Sequence, residues 1–215
     1  MGDKNTYIRE MFSSIANNYD LLNTLLSLNR DKYWRKFAVS KIGLRCGGEV
    51  LDVATGTGKL ALELARKVGQ EGRVTGIDFC ARMLSNAQHE LRKTRCKNVE
   101  LIQTNAEALP FADGAFDCAT ISFGLRNMTD IKQPLQEMTR VIKVGGKLVC
   151  LEFSRPSHRI LRWIYRLYIF TLPPFLGWLI SKKQKCLYLP STVNRGVLKP
   201  PSTKTDYGKS GAKQY

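Results

Sequence analysis

Two glycines, Gly56 and Gly58, follow a short apolar run that carries a carboxylate, Asp52, in the stretch EVLDVATGTGKL at 49–60. Without a Cβ the backbone can turn sharply and let a ligand touch it, and a helix beginning there points its free N–H groups at that ligand. The chemistry on offer is a cradle for a nucleotide or cofactor. Asp78 lies about 20 residues beyond the loop, where an acidic side chain can accept both hydroxyls of a ribose. Gly56, Gly58 and Ala61 also satisfy the G-x-G-x-x-[GA] dinucleotide fingerprint, so a nicotinamide cofactor stays open on pattern alone.

The elements that must position these residues are legible around them. Val50, Leu51 and Val53 have the character of a buried strand, while Leu60, Ala61, Leu62, Leu64 and Ala65 recur at helical spacing. The glycines therefore sit at a strand-to-helix turn. Onward the pattern alternates: strand 50–54, helix 59–68, strand 74–77, helix 81–93, strand 99–103, strand 116–123, helix 131–142 stopped by Gly145 and Gly146, and strand 147–153. Five strands with helical crossovers predict a parallel α/β sheet. Apolar faces at 7–16 and 30–44 predict two helices ahead of the first strand, placed to cover the cofactor crevice.

Ligands in such a sheet collect outside the carboxyl ends of the strands, so the residues just after each strand are read together. They are Thr55 to Gly58, Asp78, Asn105 with Ala106 and Glu107, and Ser122 to Asn127. The Asn105 amide can face an adenine edge as donor and acceptor, and Ser122 can close the pocket.

With 215 residues the chain has room for one domain, and 43% hydrophobic with 24% charged residues is a globular composition. Cys46, Cys80, Cys96, Cys118, Cys150 and Cys186 form no C-x-x-C pair and read as reduced core thiols. Reduced thiols without an apolar leader predict a cytoplasmic or organelle-matrix location. His89 and His158 stand far apart, so no metal site is expected. The net charge of +16 attracts nucleic acid or anionic lipid without choosing between them. The stretch 159–180 is aromatic, with Trp163, Tyr165, Tyr168, Phe170, Phe175 and Trp178, yet Arg162 and Arg166 interrupt it. It suits a membrane surface or a hydrophobic channel better than a span.

The loop Ala54-Thr55-Gly56-Thr57-Gly58 after Asp52 resembles the first motif of Rossmann-like methyltransferases, whose donor is S-adenosyl-L-methionine. Beyond it, YDLLNTLLSLNRDKYW at 19–34 and RVIKVGGKLVCLEFS at 140–154 resemble the two signatures of the C-methyltransferases of menaquinone and ubiquinone biosynthesis. NAEALPF at 105–111 and ISFGLRN at 121–127 agree, and the likeness runs from about Tyr7 to Ser191.

The resemblance implies a Rossmann-like class I methyltransferase, a mostly parallel sheet with helices on both faces. It also implies that Asp52, Gly56, Thr57, Gly58, Asp78, Asn105, Ala106 and Ser122 hold S-adenosylmethionine. Arg126 and Asn127 then lie on the side of a prenylated quinol, with Arg126 placed to stabilise the ring phenolate. The chain departs from the family pattern at Asp31, where a histidine is usual, and after Ser191.

The expected organisation is a helical lid at 1–45, a cofactor-binding core at 46–154, an aromatic helical region at 155–190 and a disordered basic tail at 191–215. The family's last strands are expected to be missing, leaving Leu148 to Phe153 as a bare edge prone to dimerise. The expected partners are a prenylated quinol, a membrane surface, and a homodimer or a quinone-biosynthesis complex. Nucleic acid is disfavoured, because no N-P-P-Y-like or paired-cysteine motif occurs. The rival readings are a non-catalytic or impaired protein of the same fold and a methyltransferase for another small molecule or RNA. An NAD-dependent oxidoreductase ranks behind both.

Overall fold

The computed structural model describes residues 2–44, 46–128 and 130–153. The expected aromatic region at 155–190, the basic tail at 191–215, and with them His158 and Cys186, lie outside the described residues. Three helices come first: α1 (Gly2–Ile15), joined by a 3-10 turn to α2 (Tyr19–Leu26), and α3 (Asp31–Lys41). There follow β1 (Glu49–Val53), α4 (Lys59–Val68), β2 (Arg73–Asp78), α5 (Ala81–Lys93), β3 (Val99–Gln103), β4 (Phe116–Ser122), a 3-10 turn at Leu125–Asn127, α6 (Lys132–Arg140) and β5 (Ile142–Leu151).

The five strands form one sheet in the order β3-β2-β1-β4-β5, with every pair parallel. This bears out the expected fold class. Because strand order reverses between β1 and β4, their carboxyl ends diverge and open a crevice there. Alternation along β1 divides the core in two. Val50 packs with Val39 and Ile42 at the end of α3 and with Leu60, Leu64 and Val68 of α4. Leu51 and Val53 face the other way, onto Ile121, Met138 and Val141. β1 is buried on both faces, apolar except for the buried Asp52 and the half-buried Glu49 at its start.

Above the crevice α1 lies against α5. Asn86 Nδ2 donates to the Ala16 carbonyl at 2.9 Å, and Phe12 and Tyr19 pack on Ala16, Cys80 and Met83. The Asp31–Arg35 ion pair, 2.9 Å long, is buried, and Ser27 Oγ lies 3.1 Å from the same carboxylate. It fixes the turn between α2 and α3.

The structure corrects four expectations. The helix α2 was not foreseen, since its Tyr19, Leu22 and Leu26 form an inner stripe too short to register as periodicity. The chain turns left-handed at Ala54, φ 52°, so β1 ends one residue early. Gly145 and Gly146 do not stop α6, which ends at Arg140; both lie inside β5, beside a register shift against Phe116 and Cys118. The thiols are not all core, because Cys46 and Cys150 are exposed while Cys80 and Cys118 are buried. Among the described residues no helix is long and apolar enough to cross a membrane.

The two strand glycines should respond differently to substitution. A Cβ on Gly146 would sit 2.6 Å from the Asp117 carbonyl oxygen, whereas one on Gly145 meets nothing within 4 Å and suffers only from its φ of 83°. Gly145→Ala is expected to cost about 1–2 kcal/mol in urea unfolding, the penalty of a left-handed backbone. Gly146→Ala is expected to cost more, because backbone must move; equal losses would overturn this account.

Candidate functional site

The crevice at the ends of β1, β2 and β4 is an open cleft with an empty volume of about 910 Å³, mouth included. Its floor is Ala54, Gly56, Ile77 and Asp78; one wall carries Thr104 to Glu107, the other Ser122 to Gly124 with Asn127 and Met128. Ile8, Phe12 and Tyr19 close it from above. Of the residues singled out in the sequence, Gly56, Asp78, Asn105, Ala106, Ser122 and Asn127 meet here, while Asp52, Thr57, Gly58 and Arg126 do not reach the cleft wall.

The loop after β1 is held by two buried carboxylates. Asp78 accepts the backbone N–H of Gly56 at 2.9 Å through one oxygen and that of Cys80 at 2.9 Å through the other. Burial pushes this carboxyl up, against the N–H donors of Cys80, Gly56 and Phe79 that favour its ionised form. Each carboxylate oxygen keeps a lone pair for a further donor. Asp52 is fully buried beneath the loop, where its oxygens accept the hydroxyls of Thr55 at 2.7 Å and Thr120 at 2.8 Å. Burial raises it to about 6, opposed by those two hydroxyls. Asp52 therefore braces β1 to β4 and to the loop.

Thr57 faces α2 instead of the cleft. Its hydroxyl donates to Asp20 of α2 at 2.6 Å, and Lys59 Nζ stands 3.4 Å from the same carboxylate and 2.7 Å from Glu90. One acidic side chain thus ties the covering helices to the glycine loop and to α4 and α5. Gly58, at φ 76°, starts α4 with its missing Cβ 3.1 Å from the Cβ of Ala87, so its contribution is closeness of loop and helix.

On the second wall, Asn105 Oδ1 accepts the Glu107 N–H at 3.1 Å, which fixes the turn after β3. Asn127 Nδ2 donates to the Phe123 carbonyl at 3.3 Å, and its Oδ1 is buried with no partner among the described residues. Arg126 is not a free cation. Its Nη1 is 2.7 Å from Glu152 Oε1, and its guanidinium lies 5.3 Å from the centre of the Phe153 ring. Phe153 in turn stacks on Phe123 at 4.7 Å and meets Trp34 edge-on.

The chain belongs to the ubiE/COQ5 methyltransferase family. The family's model matches residues 1–196. A protein of Citrifermentans bemidjiense named ubiquinone/menaquinone biosynthesis C-methyltransferase is 45% identical over 194 residues, covering 90% of this chain and 83% of its own. One of Desulfitobacterium hafniense named demethylmenaquinone methyltransferase is 42% identical over 184 residues, covering 85% and 73%. Among solved structures, a SAM-dependent methyltransferase from Aquifex aeolicus superposes with a TM-score of 0.57 over 70% of this chain and 85% of that one, at 24% identity, a likeness of fold.

Within this family frame, three residues that sequence reasoning passed over stand out: Tyr19, Asp20 and Glu152. The first two lie in the N-terminal signature and the third in the second one, so the signal was present without a role attached. Tyr19 packs edge-on against Phe12 at 6.0 Å beside the glycine loop. Burial raises its hydroxyl, opposed by a hydrogen bond with Asn23 and by the positive charge of Arg126.

Two outcomes follow from these geometries. Asp52 carries a carboxyl raised from 3.8 to about 6, so the folded protein loses stability as pH rises through that window. At about 1.4 kcal/mol per unit the ceiling is about 3 kcal/mol. Asp52→Asn should be more stable than the parent at pH 8 and lose that advantage by pH 4 in thermal melts; a pH-independent difference would refute it. Asp20→Ala should speed amide exchange across Tyr19–Leu26 about tenfold without affecting α4, since a charge-assisted hydrogen bond is worth about 1.5 kcal/mol.

Proposed function

We propose that the protein transfers a methyl group from S-adenosylmethionine to a ring carbon of a prenylated quinol in quinone biosynthesis. The observation that carries this is the placing, across one cleft, of Asp78 at the glycine loop and of an Asn127 Oδ1 that has no partner among the described residues, in a chain of the ubiE/COQ5 methyltransferase family. The names of the relatives, ubiquinone/menaquinone and demethylmenaquinone methyltransferases, support the same substrate class. The donor supplies an activated methyl group, so the protein's part is alignment and exclusion of water.

The residues fit that donor. In this reading Asp78 accepts the ribose hydroxyls, the Gly56 backbone faces the amino-acid arm, Asn105 and Ala106 border the base and Ser122 the sulfonium side; that all five line the cleft supports it. Asp52, Thr57 and Gly58 would serve the same site indirectly, by bracing the loop and closing the lid. On the acceptor side Asn127 Oδ1 can take a hydrogen bond from a quinol hydroxyl. The ring carbon becomes nucleophilic as that hydroxyl loses its proton, and the Arg126 charge, tempered by Glu152, would stabilise the phenolate from behind the wall.

In this reading residues 1–45 act as a lid over the core at 46–154, and a prenylated substrate favours peripheral association with a membrane. A homodimer or a quinone-biosynthesis complex and a cytoplasmic or matrix location complete the proposal.

Labelled S-adenosylmethionine incubated with a panel of chemically reduced quinones tests it. Label should pass to a benzoquinol or naphthoquinol and to nothing in the oxidised controls; no transfer to any quinol would leave the non-catalytic reading. Arg126→Ala should lower turnover at least tenfold yet spare S-adenosylhomocysteine affinity, whereas Asp78→Ala should weaken that affinity by about 1.5–3 kcal/mol.

A further inference from the structure

The outer face of α2 and α3 is apolar and basic. Leu21, Leu25 and Leu28 recur along α2 and the turn after it and are all exposed, opposite Tyr19, Leu22 and Leu26, which pack inward with Phe12 and Ile15. On α3 the exposed rings of Tyr33 and Phe37 stack at 6.4 Å, with Lys41 Nζ 4.7 Å from the centre of the Phe37 ring. Eight large hydrophobic side chains are exposed among the described residues, and five of them sit on this one hairpin. Such clustering marks a contact surface, since single exposed apolar residues are ordinary and patches are not.

The tip of the turn points the same way. Leu28 is 78% exposed at φ 50°, followed by Asn29 at φ 62°. A left-handed position in a solvated turn favours glycine or asparagine, and a leucine pays strain there while gaining nothing from water. A partner that takes the side chain accounts for it. After the leucines, along the turn and α3, come the exposed bases Arg30, Lys32, Lys36 and Lys41. The single acid between 21 and 41, Asp31, is buried and paired with Arg35. A second copy meeting this patch across a two-fold axis would set the four bases against themselves. An anionic lipid surface satisfies both chemistries, with apolar side chains at the acyl boundary and lysines among the phosphates.

We infer that the α2–α3 hairpin docks on an anionic bilayer, with Leu25 and Leu28 entering the headgroup boundary. For its purpose this rests on the prenylated-quinol reading: the inner face of α2 presents Tyr19 to the cleft, so the helix that touches lipid also roofs the site a lipid-borne substrate must enter. Docking and access then share one element.

The test is sedimentation of the full chain with vesicles of phosphatidylcholine, with and without phosphatidylglycerol, at low and high salt. The parent is expected to bind the anionic vesicles and to be released by salt. The double variant Leu25→Ser/Leu28→Ser should bind about tenfold more weakly, and Lys32→Gln/Lys36→Gln about tenfold or more, since each lysine near the surface is worth about 1 kcal/mol. Both should keep the parent's S-adenosylhomocysteine affinity, which shows that they fold. Failure of the parent to bind, or variants that bind as tightly as the parent, would overturn the inference, the latter by putting the lipid contact on another face. A parent dimer that the serine variants abolish without vesicles would assign the patch to a second copy. Protection of Leu28 from hydroxyl-radical labelling in the vesicle-free parent would assign it to residues 154–215. Because sedimentation needs no turnover, a failure of the quinol reading leaves this result distinguishable.

Discussion

The backbone turn after β1 has to reverse a buried strand into a helix, and two buried carboxylates hold it in that shape. Ala54, Gly56 and Gly58 are all left-handed. Such a turn would relax if left to itself, since the alanine alone carries strain of about 1–2 kcal/mol. Asp78 captures the Gly56 N–H from one side, and Asp52 captures Thr55 from beneath. The same two side chains bind the loop to β2 and, through Thr120, to β4. Both pay for burial with a raised carboxyl, so the site stores destabilisation that the surrounding core offsets.

From that turn the coupling runs outward to α2. Thr57 stands within the loop yet spends its hydroxyl on Asp20, so the glycine loop and the start of α2 are held together through one hydrogen bond. The aromatic group Trp34, Phe123 and Phe153 makes a second link, joining α3 to the ends of β4 and β5. Between these two attachments α1 and the start of α2 cover the cleft, while α3 packs on α4 and β5. Their inner residues answer to the site and their outer residues to solvent or a surface, and the amphipathic division of α2 is how one short helix serves both.

The far edge of the sheet follows a different constraint. Among the described residues β5 pairs only with β4, and its middle, with Val144 fully exposed, is polar and glycine-bearing where the central strands are apolar. The register shift opposite Phe116 and Cys118 falls beside the two glycines. The bulge and the lysines, Lys143 and Lys147, resist pairing with another chain along 142–147, ahead of the stretch Leu148 to Phe153 expected to be adhesive.

Local sequence by itself determined the sheet and the cleft floor. The alternation around 50–103 is strongly periodic, so helices α4 and α5 and strand β3 lie at the boundaries that periodicity predicts, and the residues after each strand meet because parallel topology leaves them no other place. Tertiary structure decided what periodicity does not encode. The end of α6 is set by β5 pairing with β4, a contact between distant residues that outweighs the breaking tendency of Gly145 and Gly146. Whether a polar side chain faces a ligand or a neighbour is likewise a three-dimensional fact: Thr57 turns to Asp20, Asp52 to two threonines, and Arg126 to Glu152, because each buried or half-buried polar group must find its partner and the partners come from 26 to 68 residues away in the cases of Glu152 and Thr120.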